Sequence, residues 1–118
     1  MKFLCLVYFE PAAFAALSPD EKAEVGRTSW GYDQQLQRSG NYIHAEALEP
    51  VATARTVRVR RGKATEVDGP FAETKEHLGG FILVEASSMD AAMEIAAGIP
   101  LAKLGSVEVR PVMTFSDR

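Results

Sequence analysis

Residues 2–9 have the sequence KFLCLVYF, an unbroken run of apolar, β-favouring residues after one lysine. Successive side chains of a strand point to opposite faces, so both faces of this strand are predicted to be apolar. Residues 80–86 (GFILVEA) have the same character. Strands that are apolar on both faces are covered on both sides. These two segments therefore predict the centre of a sheet that needs a layer above it and a layer below it.

A helix start follows at residues 18–21, SPDE. Ser18 can cap the helix, Pro19 suits its first position, and Glu21 can complete a capping box. The helix is expected to run to about Ser39 and to end at Gly40, because glycine favours the backbone conformation that ends helices.

The other elements follow from alternation and turn residues. Residues 41–48 alternate, which predicts a second strand with Tyr42, His44 and Glu46 on one face. The remaining predicted elements are a hairpin with strands 56–59 and 64–67 that turns at Gly62, a strand at 80–86, a helix from Ser87 or Ser88 to about Ile99, and a strand at 106–113.

This order predicts an α+β fold of the ferredoxin-like βαββαβ type with an inserted β-hairpin. Helices cover one face of the sheet in such a fold, and no third long helix is predicted to cover the other face. The simplest cover is the sheet of a second copy, packed face to face. The apolar pattern therefore predicts a homodimer.

Composition limits the class of protein. The chain has 118 residues, 47% hydrophobic and 25% charged, with a net charge of −3, which predicts one globular domain over residues 1–118. No apolar run reaches the roughly 18–20 residues of a membrane span. The acidic balance predicts no nucleic-acid partner, since the basic run at 58–63 is followed by Glu66 and Asp68.

The start of the chain and its cysteine content suggest a compartment. The apolar run at 3–9 stops at Glu10 and Pro11, too soon for a secretion signal, and is interpreted as a strand. Cys5 is the only cysteine, so no internal disulfide can form, and it is expected to be a small buried apolar residue. A cytoplasmic location is expected.

The run DGPFAETKEH at 68–77 is the densest group of polar residues. Gly69 and Pro70 predict a tight turn after a strand, and Phe71 is expected to anchor the loop in the core. The charged residues that follow are typical of a solvated, ion-paired loop, and they could also line a functional cleft. Asp68 could bond to the turn backbone or serve that cleft.

Candidate acid/base residues lie on the second strand. His44 and Glu46 are two positions apart and share a face, and imidazole with a carboxylate neighbour is a plausible general base. Asp68 could orient the ring of His44, while a polar edge strand is the alternative interpretation. On the last strand, Arg110 could hold a substrate carboxylate through its fork of donors, or form an ion pair with Glu73 or Glu76.

No cofactor or metal is predicted, since the two histidines lie 33 positions apart and no metal-ligand or phosphate-loop spacing occurs. One hypothesis is a cofactor-independent isomerase or lyase acting on a small anionic substrate in a cleft of the dimer. The catalytic residues would be His44, Asp68 and Glu46. The substrate-binding residues would be Arg110, Lys75, Glu73 and Tyr8. The alternative is a non-catalytic binding or regulatory module whose charged loop contacts a partner or a small effector.

Residues 68–76 (DGPFAETKE) and 78–81 (LGGF) resemble the signature of the DGPF group of the YCII-related family. Further similar segments follow the family's order: LCLVY at 4–8, HAEAL at 44–48, ARTVR at 54–58 and GSVEVRP at 105–111. The resemblance implies a ferredoxin-like fold assembled as a dimeric α+β barrel. It implies little about activity: members are proposed as enzymes because some carry a His–Asp pair in a cleft. The DGPF group also resembles products encoded beside extracytoplasmic-function sigma factors, which implies a regulatory role equally well.

Overall fold

A computed structural model describes residues 1–115 and has the predicted α+β architecture. The strands are β1 (Lys2–Phe9), β2 (Tyr42–Ala47), β3 (Arg55–Arg60), β4 (Lys63–Asp68), β5 (His77–Glu85) and β6 (Gly105–Pro111). The helices are α1 (Pro11–Ala15), α2 (Pro19–Arg38) and α3 (Met89–Ala97), with short 3-10 turns at Val51–Thr53 and Pro100–Lys103. Strands β2-β5-β1-β6 form an antiparallel sheet in that order, and β3 and β4 form a separate hairpin.

The core lies between the sheet and the helices α2 and α3. Phe3, Cys5 and Val7 of β1 are buried there, together with side chains of β5, of the two helices and of Ile99. The buried residues are Phe3, Cys5, Val7, Leu36, Ile82, Val84, Ala86, Ala92, Ala96 and Ile99. This face of the sheet supplies most of the apolar burial that holds the described chain together.

The opposite face of the sheet, called the open face, takes no part in that core. At its centre lie four half-buried apolar side chains, from β1 and β5: Leu4, Leu6, Phe81 and Leu83. The sequence prediction of a second apolar face is therefore confirmed for the single chain. The layer that would cover it is not supplied by the core-forming helices.

The N-terminus of α2 has the predicted capping box. The Ser18 hydroxyl accepts from the Glu21 amide at 3.1 Å, and the Glu21 carboxylate accepts from the Ser18 amide at 2.9 Å. These hydrogen bonds lower the pKa of Glu21, since they favour its charged form. Just after the C-terminal end of α2, Gly40 has a φ of +82°. A residue with a side chain adopts this backbone angle only at a cost in conformational energy.

The structure corrects the predicted face of one residue of β2. The alternation predicts Tyr42 beside His44 and Glu46, but Tyr42 pairs with Val84 and packs against the core. The register shifts between Tyr42 and His44, as in a β-bulge, and such an extra residue moves the next side chain to the other face.

The hairpin β3–β4, residues 55–68, is called the arm. It turns through Arg61 and Gly62, which both have positive φ, as a tight two-residue hairpin turn requires. Thr56 is half-buried, and every other strand residue of the arm is exposed. The expectation that Phe71 anchors the following loop in the core is wrong. Its side chain is 74% exposed and stacks on the Arg58 guanidinium, because the loop leaves from the arm rather than from the sheet.

Across residues 1–115, no helix is both long enough and apolar enough to cross a bilayer.

Candidate functional site

His44 and Glu46 lie together at the β2 edge of the open face. The His44 Nε2 and Glu46 Oε2 atoms are 2.8 Å apart, and both side chains are more than half exposed. The His44 ring also tilts against Phe81, with the ring centres 6.0 Å apart. The predicted neighbours on a shared face therefore make direct contact.

This contact determines which ring nitrogen is available for chemistry. Nε2 is the ring nitrogen that faces the Glu46 carboxylate. Nδ1, the other ring nitrogen, makes no contact with that carboxylate and is the atom left to face a substrate. A general base with an orienting carboxylate would have this arrangement.

Strand register places this pair in rows that cross the whole open face. His44 is opposite Leu83, which is opposite Leu4, which is opposite Arg110. The neighbouring row runs, in the same order, through Glu46, Phe81, Leu6 and Glu108. Three strand spacings of about 4.8 Å separate the ends of each row, so His44 and Arg110 of one chain are roughly 14 Å apart.

Tyr8 and Arg110 lie at the β6 side of this face. The Tyr8 hydroxyl is 3.5 Å from Glu108 Oε1, at the limit of a hydrogen bond. Within residues 1–115, Arg110 forms no ion pair. The alternative in which it pairs with Glu73 or Glu76 is therefore not observed, and Glu76 instead accepts from the Ser106 hydroxyl at 2.9 Å.

The other predicted site residues lie away from His44 along the arm and its loop. The Asp68 side chain is 96% exposed and lies 3.8 Å from Arg55 Nε. Lys75 Nζ lies 3.9 Å from Glu10 Oε2, and Glu73 is exposed. Within one chain, the contacts of Asp68 are with the arm, so the structure brings His44 and Glu46 together without it.

A cavity of about 200 Å³ on the helix side of the sheet was not predicted from the sequence. It lies between β2, β5, α2 and the turn after α3, and its walls are mainly apolar. The Asp33 side chain lines it and has no hydrogen bond or ion pair within residues 1–115. Burial raises the pKa of Asp33, because desolvation disfavours the charged carboxylate. The available signal was the position of Asp33 next to Tyr32, an aromatic residue of α2 that packs against the core.

Two other features are explained without a ligand. A groove of about 660 Å³ beside α2 is lined by Glu21 and Glu24, whose carboxylates are already engaged by the capping box and by Arg27. Cys5 is buried in the core, and burial raises the pKa of its thiol to about 11, so the thiolate nucleophile is disfavoured.

Comparisons with known proteins agree with the fold. The uncharacterized protein R00369 of Rhizobium meliloti (strain 1021) is 33% identical over 117 residues, which cover 98% of this chain and 94% of that protein. A solved structure, 5-chloro-2-hydroxyhydroquinone dehydrochlorinase (TftG) from Burkholderia phenoliruptrix AC1100 in complex with 2,5-dihydroxybenzoquinone, is similar with a TM-score of 0.57. That match covers 99% of this chain and 98% of the other at 16% identity, so it concerns the fold.

The model of the YCII-related domain matches residues 1–116, almost the whole chain. This protein therefore belongs to the YCII-related family.

Proposed function

We propose that this protein is a small enzyme that performs general acid/base chemistry, an elimination or an isomerisation, on a small anionic substrate at the open face of a homodimer. The observation that carries the proposal is the 2.8 Å contact between His44 Nε2 and Glu46 Oε2 beside an apolar sheet centre. A base with an oriented ring next to apolar surface is a common arrangement for proton transfer.

The comparison with TftG supports the same class of chemistry. That protein is a dehydrochlorinase solved with a dihydroxyquinone, so a chain of this fold can host an elimination on a small ring compound. Loss of HX needs no oxidant. A base removes a proton, the electrons left behind form a new double bond, and X leaves with the electron pair of its own bond. In this chain His44 Nδ1 would take the proton, and Glu46 would stabilise the imidazolium that forms.

The substrate's negative charge needs a cation near His44. Arg110 of the same chain lies at the far end of its row, too far for one small molecule to touch both. If a two-fold axis runs between two open faces, parallel to the strands, β2 of one copy lies over β6 of the other. His44 would then face Arg110 of the second copy, while Tyr8, four positions along β1 from the residue opposite Arg110, would lie at the end of the site. Each dimer would have two equivalent sites.

The remaining predicted residues enter the proposal less directly. Asp68, Glu73 and Lys75 lie on or beside the arm, so they can reach a substrate at His44 only if the arm of one copy approaches the other. They are assigned a binding role at the edge of the site.

The experiment uses 2,5-dihydroxybenzoquinone as a binding probe, followed by amide NMR. Shift changes are expected around His44, Glu46 and Phe81. Binding should weaken about tenfold in Arg110→Ala, since one charge-assisted contact is lost. Shift changes confined to another part of the chain would refute this location.

Chloride release from 5-chloro-2-hydroxyhydroquinone tests turnover. His44→Gln is expected to slow release by about 100-fold or more, because a general base contributes about that much. His77→Gln is the matched control, since that histidine pairs with Phe9 at the other end of the sheet. Equal losses in both variants would remove His44 from the mechanism.

A second candidate function, a ligand-binding module without turnover, is favoured by the Asp33 cavity. An unpaired carboxyl in an apolar cavity suits a small ligand that donates a hydrogen bond. If the probe shifts cluster at Asp33 and chloride release is absent, this candidate replaces the enzyme.

A further inference from the structure

We propose that the arm, residues 55–68, packs against the acidic body of a second copy of this chain. The inference extends the proposed homodimer from the open face to the arm and requires no catalytic activity. It rests on the arm's lack of a core of its own, on its reach and on its charge.

The arm has nothing in its own chain to bury its apolar side chains. Val57, Val59 and Val67 are 62%, 60% and 61% exposed, and the ladder joins only β3 to β4. An isolated two-stranded hairpin is marginally stable in water, and strands depend on packing against another layer. A persistent arm therefore needs a surface to cover it.

The arm is separate from the four-stranded sheet, and the dimensions of the chain exceed those of a compact domain. The radius of gyration is 16.4 Å, whereas a compact domain of this length has about 13.5 Å. The chain extends 47 Å along two axes and 19 Å along the third. A flat body with a projecting arm leaves exposed area that a second copy can cover.

Charge identifies the occupant as a second copy. The arm has five basic and two acidic side chains, a net charge of +3, which leaves −6 on the rest of the chain. Strand register places Arg58, Arg60 and Lys63 on one face of the hairpin. On the other face, Arg55 is already paired with Glu66 at 2.7 Å. The body of a second copy is acidic, so it attracts the basic face, whereas a nucleic acid would be repelled by the body.

Zero-length carbodiimide crosslinking tests this contact directly, because it joins a lysine amine only to a touching carboxylate. Unlabelled and nitrogen-15-labelled protein are mixed, allowed to exchange and crosslinked. Lys63 is expected to form crosslinked peptides that combine one labelled and one unlabelled partner. Lys63→Arg keeps the charge and should abolish these products.

Lys75 is the internal control, since its amine lies 3.9 Å from Glu10 of the same chain and should give unmixed products. If Lys63 forms only unmixed products, or none while Lys75 reacts, the inference is overturned.

A second measurement separates the arm from the open face. The change Val67→Asp, on the same face of the hairpin as Arg58 and Lys63, should weaken dimerisation about tenfold or more in sedimentation experiments, because a charge replaces an apolar contact. An unchanged dimer constant would refute the arm contact even if the open face still pairs. Leu6→Asp addresses the open face independently, so failure of the proposed dimer and failure of the arm give different results.

Discussion

The β1–β5 pair and the arm are both antiparallel ladders, yet their surroundings are opposite. In β1–β5 the register runs from Lys2 opposite Glu85 to Phe9 opposite His77, and one face is buried from Phe3 to Val7. In the arm it runs from Arg55 opposite Asp68 to Arg60 opposite Lys63, and almost every side chain is exposed. The backbone pairing is alike, while the burial of side chains differs.

This contrast shows where stability resides in the chain. Backbone hydrogen bonds replace bonds to water and contribute modestly, whereas apolar burial supplies the main driving force. The β1–β5 pair should therefore open only with global unfolding, and the arm should open locally at lower cost. A segment with few internal contacts is available for assembly, which is the role inferred for the arm.

The largest difference in stability is expected between the alanine variants of two phenylalanines, one in the core and one beside the arm. Phe3→Ala should lower the free energy of unfolding by about 3–5 kcal/mol, because the ring is 1% exposed in the core. Phe71→Ala should cost about 1 kcal/mol or less, since its ring only stacks on Arg58 at the surface. Urea unfolding of both variants at low protein concentration measures the difference. Similar losses would break the comparison between the core and the arm.

Changing either of two glycines to alanine should alter stability by an intermediate amount, in opposite directions at the two positions. Gly26→Ala should stabilise the protein by about 0.5–1 kcal/mol, because an added Cβ meets nothing within 4 Å and alanine favours the helix interior. Gly62→Ala should destabilise the arm by roughly 1–2 kcal/mol, because its φ is +74°.

Hydrogen exchange distinguishes the two sites. Exchange of arm amides should accelerate in Gly62→Ala while exchange in β1 and β5 is unchanged. If β1 and β5 accelerate equally, the arm and the sheet unfold as one unit and the proposed contrast is wrong.

The smallest difference in stability is expected between the asparagine variants of two aspartates, Asp33 and Asp68. Burial raises the pKa of Asp33, so the folded state holds its proton more tightly than the unfolded state. The stability that the protonated Asp33 carboxyl contributes is fully present below the pKa of the unfolded state. This contribution is lost as the pH rises through the raised pKa of the folded state. Asp33→Asn should therefore stabilise the protein at neutral pH by roughly a few tenths of a kcal/mol, since solvent screens a partly exposed group, and this gain should vanish in acid.

Asp68→Asn is the control on the arm, where the carboxylate is almost fully exposed beside Arg55. Its effect should be near zero and should shrink further with salt. If Asp33→Asn instead stabilises the protein more in acid than at neutral pH, the expected direction of the pH dependence is wrong.

Much of the fold was predictable because local patterns specify it. The capping box at Ser18 and Glu21, the turn at Gly62 and the two-faced strand at 2–9 each involve neighbours in sequence. The contact of His44 with Glu46 was predictable for the same reason, since two positions along a strand share a face. The bulge at Tyr42 could not be predicted from the sequence, because the register of β2 depends on which strand pairs with it.

The sequence by itself determined the order of elements and the apolar open face, since both follow from side-chain period and turn chemistry. Only the tertiary structure decided that Phe71 stays at the surface, that Asp33 lines a cavity and that Asp68 lies on an exposed arm. The physical reason is distance along the chain. Periodicity specifies what a residue's neighbours in sequence do, whereas burial depends on which remote segments pack against it.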